Sequence, residues 1–193
     1  MTGSGEEDRA RLERANRQLS ERVWELEQQA NRLTMLYVAS QSLHETLQRP
    51  HVLAKIGEII VNLLGCEEYA IFERDGLGGP LRLLASTGVD PEPLRTLALG
   101  QGAIGRASST GRLLRADLEA PVAGLLPFEQ ELTACIPLVA GALPVGAIAL
   151  FSLLPQKLAI EAHDVEIFEL LARQGGAALH ASRLLEPERV RAR

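Results

Sequence analysis

The chain has 193 residues, with 20 Lys and Arg against 25 Asp and Glu, for a net charge of −5. That length spans about one to one and a half ordinary domains, and the acidic balance leaves no broad basic surface, so neither nucleic acid nor anionic lipid is an expected partner. Hydrophobic residues make up 46% but include only one Trp, two Tyr and four Phe, so the core must be built from Leu, Val, Ile and Ala. Cys66 and Cys135 are far apart, with no Cys-x-x-Cys and no His pair at i,i+4. They offer neither a disulfide framework nor a zinc site, and a cytoplasmic compartment is expected.

The amino terminus is charged from Glu6 onward and has no apolar run, so no signal peptide is expected. Residues 1–5 are expected to be disordered. Leu12, Leu19, Leu26 and Leu33 then recur every seven residues, and Asn16, Val23 and Ala30 stand three positions before the last three of them. This is a heptad seam with the leucines at d. It places Asn16 at a, where its amide pairs best with a partner Asn in register, and puts Arg22 at g and Glu27 at the following e, an oppositely charged pair between parallel chains. The expectation is a parallel homodimer through residues from about Glu6 to Leu47, with Tyr37 among its contact residues; the alternative is one amphipathic helix lying on the domain behind it. The stripe continues through Leu36, Ser40, Leu43, His44 and Leu47, which predicts one helix unbroken until Pro50 and shared by coil and domain.

A second helix follows, with Pro50 in its first turn, an apolar face from Val52 to Leu64, and Gly65 suited to a left-handed cap. Glu67–Arg74 and Leu81–Ser86 predict a hairpin across the turn formers Asp75–Pro80. A short helix ending at Thr110, a brief strand Leu113–Ala116 and an irregular segment to Leu132 come next. The stretch Thr133–Gln156 carries no charge and is long enough to cross a bilayer, but Pro137, Gly141, Pro144 and Gly146 break it into two strands, so a buried hairpin is expected instead of a membrane span. Ala162–Leu185 has helical spacing, and its small residues Ala172, Gly175, Gly176, Ala177 and Ala178 suggest close helix approach, with Gly175 taken as part of the dimer contact. The domains expected are a coiled coil over 1–33, a globular domain over 34–186 and a tail over 187–193.

Four motifs stand in sequence: Leu99-Gly-Gln-Gly-Ala-Ile-Gly-Arg-Ala107 followed by Thr110-Gly111-Arg112; Ala134-Cys-Ile-Pro-Leu138; Val145-Gly-Ala-Ile-Ala-Leu150; and a closing helix near His163-Asp-Val-Glu-Ile-Phe-Glu-Leu170. In this order they resemble the GAF domain, a small sensory module of signalling proteins. The resemblance implies an α+β fold: a central antiparallel sheet with the first and last helices packed on one face, preceded by the long N-terminal coiled-coil helix, and a pocket on the other face. Two departures stand out. Glu161-Ala162 replaces the family's usual Thr-Pro before the last helix, and the cyclic-nucleotide signature Asn-Lys-x-Phe-Asp-Glu is absent. Gly100, Gly102 and Gly105 also spell G-x-G-x-x-G, but Arg95–Leu99 is a poor strand and the helix is cut at Gly111, so a dinucleotide site is rejected in favour of a tight turn.

Chemistry-bearing constellations are thin, and no catalytic, cofactor or metal residue is assigned. Each Cys reads as a small buried hydrophobe. Free methionine-(R)-sulfoxide reductases share the resembled fold but rely on several cysteines in a loop pattern that this chain does not reproduce. His44, His51, His163 and His180 form no ligand spacing. Arg106, Arg112 and Arg115 cluster where the resembled pocket would open and could receive an anion. The pocket itself would be lined by Phe72, Leu84, Ile104, Leu126, Phe128 and Cys135, with Arg106 and Arg115 at its mouth, and the segment Asp117–Leu132 would be a lid or a plain connection. Only eight residues follow Leu185, so output to a separate protein is expected. The leading expectation is a dimeric, non-enzymatic adaptor docking on a signalling or localisation partner. A small-molecule sensor comes second and a thiol enzyme third.

Overall fold

The computed structural model describes residues 3–76, 78–118, 124–155, 157 and 159–185. The expected tail 187–193, Met1 and Thr2, and positions 119–123 of the expected lid lie outside the described residues. The chain divides into two compact units between Val38 and Ala39, five residues beyond the expected boundary at 33/34.

Helix α1 spans Gly3–His44, so it starts inside the stretch expected to be disordered and stops short of Pro50. Within the first unit the seam residues Leu12, Leu19, Val23, Leu26 and Leu33 are 53–70% exposed. Charged side chains flank them, with Arg9 and Arg22 paired to Glu13 and Glu25 along the helix. In the second unit the last turns of α1 bury Ala39 and Leu43, and Ser40 Oγ donates to Gln174 Oε1 at 2.6 Å. The helix ends early because Gln48 is the extended N-cap of α2 (Arg49–Asn62), which carries Pro50 in its first turn. Gly65 follows at φ +61°, the left-handed position expected of it.

The hairpin β1 (Cys66–Arg74) and β2 (Leu81–Thr87) forms as expected. The sheet adds β3 (Thr96–Leu97), β4 (Leu114–Arg115), β5 (Ala134–Ala140) and β6 (Leu143–Leu153), in the order β3-β2-β1-β6-β5-β4. Every neighbouring pair is antiparallel. The uncharged stretch is therefore the β5–β6 hairpin, and among the described residues no helix is long and apolar enough to cross a membrane.

Helix α3 (Gly102–Thr110) covers one face of the sheet, packing on β5 and β6. Helices α2 and α5 (Gly176–Leu185) pack on the sheet as well, through β1, β5 and β6, and α4 (Ala162–Leu170) leads into α5. A single π turn, Leu171–Gly175, joins α4 to α5. Asp164 starts α4: buried, it accepts from Glu161 N at 2.7 Å and from Lys157 Nζ at 2.6 Å, while the same ammonium reaches Leu64 O. One buried ion pair thus fixes the helix start to the end of α2.

Gly175 ends the π turn. It is buried, and a Cβ there would lie 3.8 Å from Ile56 of α2. The small residues of the closing helix bring it onto the domain's own α2 and β5, because Gly176 sits so close to Val139 that a Cβ would fall 2.5 Å from that residue's backbone. Gly175 therefore packs within its own domain, against α2.

Candidate functional site

The glycine-rich segment builds a turn from left-handed backbone at Gly100 (φ +77°) and Gly102 (φ +64°). Gly100 N donates to Gly105 O at 3.0 Å and Gly105 N to Gln101 O at 3.1 Å, so the G-x-G-x-x-G spacing closes the turn on itself. The strand before it, β3, is a two-residue edge paired antiparallel to β2, which a dinucleotide fold would not provide.

Helix α3 has no side-chain cap of its own at Gln101. Its first amides are taken by a residue from far along the chain: Glu129 Oε2 accepts from Ala103 N at 3.0 Å and Glu129 Oε1 from Ile104 N at 2.9 Å. The same carboxylate accepts from Leu126 N at 2.9 Å. Glu129 is 1% exposed, and among the described residues no cation pairs with it; its charge is met by three amides and the amino end of α3. Gly102 lies so close that a Cβ would fall 2.6 Å from the Glu129 carboxyl carbon.

The expected pocket residues fall on this face. Phe72, Ile104 and Cys135 are fully buried in one apolar cluster with Ala70, Ala147 and Phe151, and Leu126 and Phe128 pack against it half-buried. Leu84 does not join them. Residue Phe72 pairs with Leu83 and Ile71 with Ala85, so Leu84 is the extra residue of a β-bulge and Leu83 takes its expected place in the cluster.

The arginines expected at the mouth are engaged with their own chain. Arg115 grips Asp117 through Nε at 3.0 Å and Nη2 at 2.5 Å and reaches Ile160 O, holding the Asp117 carboxyl below the usual carboxylate range. Arg106 Nε donates to Gly102 O at 2.7 Å, while Arg112 is exposed.

Both thiols are buried and free. Burial pushes Cys66 up to about 11; burial and the neighbouring Glu129 charge push Cys135 up further. Among the described residues, no group of three or more His, Cys, Asp and Glu side chains could hold a metal ion. Glu129 was not among the expected site residues: an acid in an irregular segment gives no sign of a partner helix 25 positions earlier.

The family model of the GAF domain matches residues 49–181. No curated protein matches the chain, but solved structures do. A methyl-accepting chemotaxis protein fragment, residues 122 to 287, is 20% identical over 77% of this chain and 98% of its own, with a TM-score of 0.61. The GAF domain of the Acinetobacter phosphoenolpyruvate-protein phosphotransferase is 18% identical over 79% and 96%, with a TM-score of 0.60. The free methionine-R-sulfoxide reductase of Neisseria meningitidis, solved with its substrate, is 16% identical over 77% and 88%, with a TM-score of 0.57. At such identities the likeness is one of fold, which regulatory modules and an enzyme share. The family match spans well over half the sequence and takes in the glycine-rich turn, both hairpins and most of the closing helix; this chain belongs to the GAF domain family.

Proposed function

We propose that this protein is a dimeric, non-enzymatic GAF signalling module that acts through a separate effector or localisation partner. The observation that carries the reading is the seam of α1. Five large apolar side chains at heptad spacing stand more than half exposed in the single chain, and full burial of each in a coil would contribute roughly 1.5–3 kcal/mol. Asn16 at a and the Arg22–Glu27 relation favour two parallel chains in register over other arrangements. The seam is long enough to carry a second copy and polar enough on its outer faces to stay in water.

Its non-enzymatic character is supported by the thiols, which are buried and held in the unreactive protonated form. Light scattering on the full chain at micromolar concentration should give twice the chain mass, and Leu19→Glu with Leu26→Glu should return it to one. A monomeric wild type would overturn the dimer. Turnover of free methionine-(R)-sulfoxide that disappears in Cys135→Ser would overturn the non-enzymatic reading.

A further inference from the structure

Between Gly124 and Leu132 the chain crosses the apolar cluster, and the only fully buried side chain in that stretch is Glu129. A covering segment of ordinary core would be anchored by a Leu or Phe. Here Leu126, Phe128 and Leu132 are only half-buried, and the anchor is a carboxylate joined to α3 by two amides and to its own turn by a third.

Such an anchor has a particular energetics. Charge-assisted hydrogen bonds to backbone amides are strong and directional when water is excluded, yet the desolvation of a buried carboxylate opposes them. On opening, water regains the carboxylate and the freed amides alike. The segment itself gives up only the half-buried contacts of Leu126, Phe128 and Leu132, and opening wets part of one face of the cluster, far less apolar area than unfolding the sheet. Closed and open arrangements therefore lie nearer in free energy than folded and unfolded sheet, the condition for a local opening distinct from global unfolding.

We propose that Glu129 is a latch: its carboxylate holds the segment Gly124–Leu132 against the start of α3, and its release swings that segment away and uncovers the apolar cluster of Phe72, Ile104 and Cys135 while the sheet stays folded. Gly102 is part of the device, since a side chain there would occupy the carboxylate's position. The three amides that receive Glu129 report on it directly.

Native-state hydrogen exchange on the full chain at neutral pH tests the latch. The amides of Ala103, Ile104 and Leu126 should exchange together, at least about tenfold faster than those of Ile71 and Ile148 in the sheet. In Glu129→Ala they should exchange at least about tenfold faster again, with the sheet amides unmoved, and the uncharged dye N-phenyl-1-naphthylamine should fluoresce with the variant and not with wild type. Exchange of the three amides at the sheet rate in wild type would overturn the latch, and this comparison decides the matter alone if Glu129→Ala does not fold. A folded Glu129→Ala with unchanged exchange, or one that leaves the dye dark, would overturn it equally.

Discussion

Cys66 Sγ donates to Glu68 O at 3.3 Å from a site closed to solvent, and burial outweighs that bond, pushing the thiol up to about 11. Two consequences follow at the scale of this residue. The thiolate is the reactive species, so labelling of either Cys by a disulfide reagent at neutral pH should be at least about a hundredfold slower in the folded chain than in urea. The same shift couples folding to pH. An unfolded Cys ionises near about 8.5, below the folded value, so the unfolded chain loses this proton first. The contribution to stability is fully present below about pH 8.5 and is lost as pH rises from there through about 11. Urea midpoints should fall over that interval, and the fall should be smaller in Cys66→Ala. Glu129 works at this scale too, since one side chain caps α3 and fixes the segment above it.

At the scale of elements, the legible features were those with local signals. Pro50 and Gly65 bracket α2, the turn formers Asp75–Pro80 close the first hairpin, and four breakers turn an uncharged stretch into β5 and β6. What escaped depends on partners distant in sequence. The two residues of β3 are a strand only because Leu81 and Arg82 pair with them, and the bulge that removes Leu84 from the cluster belongs to two strands at once. The end of α1 at His44 is set by the N-cap of α2, with no Gly or Pro before it to announce the stop. Gly175 and Gly176 show how composition alone misleads: adjacent and both small, they meet different surfaces. A Cβ at Gly175 would find ordinary contacts near 3.8 Å, whereas at Gly176 it would collide with the backbone of Val139. Gly175→Ala should therefore be neutral or stabilising by up to about 1 kcal/mol through helix propensity. Gly176→Ala should destabilise by about 1–3 kcal/mol because β5 must move. Urea denaturation of the two variants checks the contrast, and equal costs would show that the closing helix does not rest on β5 as described.

For the whole molecule, the proposed dimer turns on the orientation of two copies along the first unit. In a parallel, in-register coil each d residue faces its own counterpart, so a single Cys at position 19 meets the same Cys in the partner. An antiparallel pair would instead set d positions opposite a positions, so position 19 would not meet its own counterpart and single-Cys chains would join poorly. The native thiols scarcely interfere, being buried in the second unit. Leu19→Cys should therefore form a disulfide-linked dimer under mild oxidation, as should Leu26→Cys by itself. Mixing the two variants should give mostly the self-linked products. Asn16 supplies the control. Its amide costs stability at an a position but holds register, so Asn16→Leu should raise the melting temperature of the dimer while spreading the cross-links between positions 19 and 26. A dimer of twice the chain mass in which neither Leu19→Cys nor Leu26→Cys links to its own copy would make the coil antiparallel, and Asn16 would then have no counterpart to meet.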